Sequence, residues 1–301
     1  MQDSGARANA AKRIEIAPLT GALGAEVRAL DLGRPLDEET FAAVHAAYLE
    51  HQVLVFRDQG LSPAQQLAFS RRFGTLLRVP YVAPLPAHPE IVAVLKEAEE
   101  RNISTFGGTW HSDFSFLEQP PSATLLYALE VPARGGDTIW ADMYRAHDTL
   151  SEGLRALLRD LRAIHSGVPY GTHGPPPDLA VSRSVKMTRG DPSTDVQVAH
   201  PVVRRHAETS RAALFVNSVY TTRFADMTAE ESEPLLGYLE AHATRPEFAC
   251  RVSWAAGTLV LWDNRCTQHL AVNDYDGARR LLHRTTVVGE RPLMLDDGES
   301  A

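Results

Sequence analysis

Two histidines and an aspartate are the residues of this chain best suited to hold a metal. In His111-Ser112-Asp113 the imidazole and the carboxylate stand two apart, and residues two apart on a strand project from one face. A second imidazole, His269, lies far downstream. Two imidazoles and one carboxylate make a three-point face that leaves the remaining positions open, as in the non-haem Fe(II) oxygenases. Arg280 follows eleven residues after His269. Its planar guanidinium matches a carboxylate bidentately and can grip the far end of a chelating keto-acid. Arg284 would share that face in a continuous strand, and two cations beside a metal imply two anions to hold.

The plain alternative for His111 and Asp113 is an ion pair on a surface strand, and a lone His-x-Asp is a weak motif in a chain with 12 histidines. The flanks argue otherwise. Gly107-Gly108-Thr109-Trp110 and Phe114-Ser115-Phe116 are strand-like and aromatic, which does not suit a wet surface. Cys266-x-x-His269 suggests zinc, yet positions three apart on a strand face opposite ways, and Cys250 alone cannot complete such a site. No nucleophile elbow accompanies Ser112 or Ser115. Gly107-Gly108 and Gly135-Gly136 lack the lysine and the strand-to-helix switch of a phosphate loop, and read as turns.

The elements that must position these residues are mainly strands. Thr258–Trp262 is a buried-strand run followed by a turn at Asp263-Asn264-Arg265, and Arg280–Val288 alternates in part. Val53–Phe56, Ile91–Leu95, Ala213–Val216 and the stretches 122–131 and 138–141 read as further strands. Helices are expected after the cap Asp37, after Ser62 with Pro63 and Gln65 as a capping box ended by Gly74, at 148–162 and after Thr228. Pro234 would remove a backbone donor from the last helix, which would begin at Ser232 or bend there. Two long irregular stretches, 76–108 and 167–199, are candidate lids; His165 and His173 lie near the second and could approach a substrate.

Composition bounds the rest. A chain of 301 residues, 44% hydrophobic, can bury one sizeable core. Ligands near residues 112 and 269 must meet, so one domain over 13–294 is expected, with tails at 1–12 and 295–301. Thirty basic against 38 acidic residues give a net charge of −8 with no basic run, which disfavours nucleic acid. Two cysteines make no disulfide framework. Met1–Lys12 has no apolar stretch of the signal-peptide kind, and no run approaches the ~20 apolar residues of a membrane span. A cytoplasmic homo-oligomer is expected.

Five segments taken together carry a resemblance: Trp110-His111-Ser112-Asp113, Gly135-Gly136-Asp137-Thr138, Val216-Asn217, Trp262 to His269, and His283-Arg284-Thr285-Thr286. In this order, from about Ile14 to Pro292, the chain resembles the taurine dioxygenase/TfdA family of Fe(II)- and 2-oxoglutarate-dependent oxygenases. Periodicity alone gives only an α+β, mainly β chain. The resemblance implies a double-stranded β-helix (jelly-roll) core with helices on one outer face. It implies His111, Asp113 and His269 as iron ligands, Thr138 and Arg280 on the distal carboxylate of 2-oxoglutarate, and Arg284 facing the anionic group of a small organic substrate. With O2, such an enzyme hydroxylates a C–H while 2-oxoglutarate becomes succinate and CO2. Val79 and Gly107 stand where taurine-using members carry a histidine and an asparagine. An alkyl sulfonate or sulfate is therefore expected ahead of taurine, with an aryloxyalkanoate as the alternative. A metal-dependent hydrolase on the same barrel is a further rival, though it would need no second carboxylate anchor; a non-catalytic binding protein would be expected to lose a ligand.

Overall fold

The computed structural model describes residues 14–79, 81–172, 184–187 and 190–295. The expected tail 1–12, nearly all of the tail 295–301, His173 and part of the stretch 167–199 lie outside the described residues. The chain is mostly sheet with few helices. An eight-stranded sheet runs in the order Glu15–Pro18, Ala25–Arg28, Val53–Phe56, Leu259–Asp263, Ala123–Glu130, Arg280–Val287, His88–Lys96, Pro84–Leu85. Its neighbours pair antiparallel except Ala25–Arg28 with Val53–Phe56. A three-stranded sheet, Ala249–Val252, Thr138–Asp142, Thr267–Ala271, is antiparallel throughout.

The central strands read as unbroken apolar runs because both of their faces are covered. Leu54, Phe56, Leu125, Tyr127, Leu259 and Leu261 pack with Val44, Tyr48 and Phe69 of the first two helices. The alternate residues Val53, Val55, Leu126, Val260 and Trp262 pack with Trp140, Cys250 and Val252 of the three-stranded sheet. Trp140 and Trp262 meet edge to face across this layer, 5.6 Å between centroids.

The helices fall into two groups rather than on one outer face. Glu38–His51, capped by Asp37 (Thr40 N–H to Oδ1, 2.7 Å), and Pro63–Ser70, with the Ser62–Gln65 capping box, cover the large sheet. Met143–Asp148, Glu152–Leu158 and Ala229–Ala243 instead share a core with the Val203–Arg205 and Ala212–Leu214 strands. The single helix expected at 148–162 is thus two, because Asp142 and Ser151 each cap a fresh start. The last helix begins at Ala229 on a Thr228–Glu231 capping box and runs on through Pro234. Within 76–108, the expected strand is longer than its apolar centre: His88–Lys96 pairs with Arg280–Val287. That stretch therefore builds the wall of the site as well as its irregular rim.

Candidate metal centre

His269 sits in the middle of Thr267–Ala271, opposite Trp140. His111 reaches it by a lone antiparallel bridge: His111 N–H donates to the His269 carbonyl at 3.1 Å, and His269 N–H returns the bond at 2.8 Å. The imidazole centroids are 4.2 Å apart. The expected strand over 111–113 is therefore only this bridge, followed at once by a turn in which Phe114 takes φ +44°. Ser112 ties the segment down by donating to the Thr267 carbonyl at 2.8 Å. The turn still brings the carboxylate in. Asp113 Oδ1 lies 3.6 Å from His111 Nε2 and 3.8 Å from His269 Nε2. One ligand atom from each of the three residues falls within 4.8 Å of the others, and all three side chains are buried.

The electrostatics suit a cation. His111 Nδ1 is 2.7 Å from the Thr109 carbonyl. A carbonyl can only accept, so Nδ1 donates, and Nε2 is the nitrogen turned toward Asp113. Burial, together with neighbouring His111, drives His269 well below the usual imidazole range against the pull of Asp113, and so keeps it neutral. Burial alone would raise the Asp113 carboxyl, but Arg284 and the two imidazoles outweigh it and hold the group well below the usual carboxylate range. Arg284 Nη2 stands 2.8 Å from Asp113 Oδ2. That contact lacks hydrogen-bond geometry, so the nitrogen keeps an unspent donor. Arg284 Nε donates to Thr286 Oγ1 at 3.2 Å.

Beside the triad, one cavity is lined by His111, His269, Thr138, Arg280, Arg284, Gly107 and Trp262. Arg280 is 3% exposed, and its Nε and Nη2 have no hydrogen-bond acceptor among the described residues. Burial lowers its pKa, with Tyr275 and Asp137 opposing. Thr138 Oγ1 accepts from Trp254 Nε1 at 3.0 Å, which leaves its own proton to give. Gly107 has φ +77°, and a Cβ there would stand 3.3 Å from His111 Cε1. The missing side chain thus gives room to the His111 ring itself. Val79 lines neither this cavity nor the next; it is buried in an apolar cluster with Tyr81, Val82, Phe114 and Phe116. A second cavity, of about 210 Å³, shares Phe106, Gly107 and His111 with the first and continues along Tyr170, Met187, Val219 and Tyr220.

Other expectations resolve differently. His165 is fully buried, bonded to Ser115 Oγ at 2.9 Å and stacked on Phe215, so it belongs to the core and not to a substrate wall. Cys266 stands with His206 and Asp263 in a second buried group of ligand type. There Asp263 is already spent on Arg265 and His206 at 2.7–3.0 Å, which makes it a structural ion-pair network. Thr124, Trp254 and Tyr275 were not singled out by sequence. Threonine and aromatic residues are ordinary in strands, and nothing local marks their partners.

The chain matches the family described as "Taurine catabolism dioxygenase TauD, TfdA family" over residues 15–286. It is 34% identical to an alpha-ketoglutarate-dependent sulfate ester dioxygenase of Pseudomonas putida, covering 95% of this chain and 93% of that protein. It is 33% identical to an alkylsulfatase of Acinetobacter baylyi, covering 94% and 87%. The crystal structure of a taurine dioxygenase from Burkholderia xenovorans superposes with a TM-score of 0.78 at 34% identity, covering 95% and 94%. The order of the motifs, the two packed sheets and these matches lead to one assignment: the chain is a member of the TauD/TfdA family of alpha-ketoglutarate-dependent dioxygenases.

Proposed function

We propose that this dioxygenase binds Fe(II) through His111, Asp113 and His269, takes 2-oxoglutarate as co-substrate, and oxidises an alkyl sulfate or sulfonate with an apolar body. The eight- and three-stranded sheets, packed face to face around the site, support reading the core as a double-stranded β-helix. The carrying observation is Arg280: a buried cation with unspent donors, in one cavity with the imidazoles of His111 and His269, which converge on Asp113. That donor set fits a divalent transition metal, and the unspent guanidinium fits the far carboxylate of a keto-acid.

When bound, Fe(II) with 2-oxoglutarate and O2 supplies the oxidising power for C–H hydroxylation. The protein does the positioning. Arg280 and Thr138 hold the distal carboxylate of 2-oxoglutarate. Arg284 serves two anions: it neutralises Asp113 Oδ2, and its unspent Nη2 donor receives the anionic head of the substrate. The cavity past Phe106, Tyr170 and Tyr220 offers apolar walls for the body of the substrate. Hydroxylation at the carbon bearing the sulfate or sulfonate gives a product that collapses to a carbonyl compound and releases the group. Three extra methylenes buried there contribute roughly 2.4 kcal/mol at about 0.8 per CH2, while the described residues lining this cavity offer an ammonium no carboxylate.

The test is kcat/KM, by succinate formation, for taurine, hexyl sulfonate, hexyl sulfate and a phenoxypropionate. The hexyl compounds should lead. Taurine as the best of the four would overturn the substrate reading, and phenoxypropionate as the best would move it to aryloxyalkanoates.

A further inference from the structure

Thr124 ends a one-way chain of hydrogen bonds aimed at Asp113. Trp262 Nε1 donates to Asn264 Oδ1 at 2.9 Å, Asn264 Nδ2 donates to Thr124 Oγ1 at 2.9 Å, and Thr124 Oγ1 donates to Asp113 Oδ2 at 2.7 Å. None of the four residues is more than 2% exposed. The direction is forced. An indole N–H can only donate, so it fixes the amide with its oxygen toward Trp262 and its NH2 toward Thr124. A hydroxyl that accepts from an NH2 has its single proton left for Asp113.

The sheet builds this chain directly. Thr124 is the cross-strand partner of Trp262 on one side and of Thr286 on the other, and Thr286 accepts from Arg284. The Asn264 backbone is pinned by its N–H to the Ser122 carbonyl at 2.9 Å. Asp113 Oδ2 is therefore approached by a hydroxyl and a guanidinium from two adjacent strands, while Oδ1 faces both imidazoles. Trp262 also lies against the His269 ring, 4.8 Å between centroids, so one indole braces two members of the triad.

We propose that Thr124, aimed by Asn264 and Trp262, is the positioning residue that commits Asp113 to a single metal-facing oxygen, Oδ1; this rests on the triad being the metal site. A carboxylate released from Thr124 can turn and offer both oxygens, and the second would occupy a position that the keto-acid or O2 requires. Arg284 cannot enforce this alone, because its contact with Oδ2 is a charge contact without hydrogen-bond geometry.

The experiment measures Fe(II) affinity by anaerobic equilibrium dialysis, and the visible spectrum of the Co(II)-loaded protein, for wild type, Thr124→Val, Thr124→Ser, Asn264→Leu and the Thr124→Val/Asn264→Leu double variant. Thr124→Val keeps the volume and removes the proton. It should weaken Fe(II) binding about 10–100-fold, the usual cost of losing a residue that orients a ligand, and change the Co(II) spectrum. Thr124→Ser should restore both. Asn264→Leu should weaken binding less, and adding it to Thr124→Val should cost nothing more, because the two act through one proton. Wild-type affinity and spectrum in Thr124→Val would overturn the proposal, as would losses that multiply in the double variant. Should Thr124→Val fail to fold, Asn264→Leu decides: wild-type affinity there overturns it. A separate control tests the underlying reading, since a His269→Ala protein that binds Fe(II) as tightly as wild type would remove the triad itself.

Discussion

Arg280 brings a charge into a buried position where Nε and Nη2 find no acceptor among the described residues. Its loss should therefore be felt by the co-substrate and not by the fold. A charge-assisted contact of this kind is worth about 1.5–3 kcal/mol. Arg280→Ala should raise the 2-oxoglutarate requirement at least about tenfold on that scale, with Fe(II) affinity and thermal stability of the co-substrate-free protein preserved. Titrating the anaerobic iron–keto-acid absorption band reads this directly; an unchanged midpoint would place the anchor elsewhere. Such residues were legible in the sequence because ligand chemistry demands particular side chains, and few others can hold a metal or fork a carboxylate. Thr124 was not legible. A buried threonine looks like any strand residue until Asp113 and Asn264, distant in sequence, are folded onto it. Val79 marks the opposite limit: its position relative to the motif was readable, but the layer it occupies, behind the cavity wall, was not.

Elements announced themselves where their ends carry side-chain chemistry. Asp37, Ser62 and Thr228 all cap helices by accepting the backbone N–H three residues on. The strand expected at 111–113 failed because a bridge and a turn can converge two side chains as well as a regular strand does. The last helix makes a quantitative case. Pro234 is exposed inside Ala229–Ala243, where its ring denies the helix a donor to the Glu230 carbonyl. An interior proline costs about 3 kcal/mol relative to alanine in model helices, part of which this helix recovers by relaxing locally. Pro234→Ala should accordingly stabilise the protein by about 1–3 kcal/mol in urea unfolding. A destabilised variant would mean that Pro234 makes a contact the helix needs.

At the scale of the molecule, global stability should depend on acidity through two histidines far from solvent. Burial, then neighbouring His200, pushes His165 down to about 3. Burial pushes His200 down to about 4, against the Leu117 carbonyl it bonds. Unfolded, both return to about 6.5. Below that pH the unfolded chain takes up protons that the folded chain refuses, so stability is full above about 6.5 and falls as the pH drops toward 4 and 3. Each group contributes up to about 1.4 kcal/mol per pH unit in that window. His165→Gln should narrow the stability gap between pH 6.5 and 5.0 by about 2 kcal/mol, measured by urea unfolding at both pH values. An equal gap in the variant would assign the acid sensitivity to other groups. The packing of the eight-stranded sheet on the three-stranded one was legible only in part: apolar runs marked the strands, but which faces pair is decided by contacts such as Trp140 against Trp262 that no local pattern encodes.

The mutual backbone bridge between His111 and His269 has a consequence for how the enzyme comes into being. Between Asp113 and Trp262 lie some 150 residues, and a ribosome adding about 5–20 residues per second needs roughly 10–30 s to cross them. Through that interval the nascent chain carries one imidazole and one carboxylate without the second imidazole, the bracing indole or the neutralising guanidinium. Such a half-site has little hold on any ion. On the proposed assignment, loading would thus wait until His269 and Arg284 have been made and folded onto Asp113.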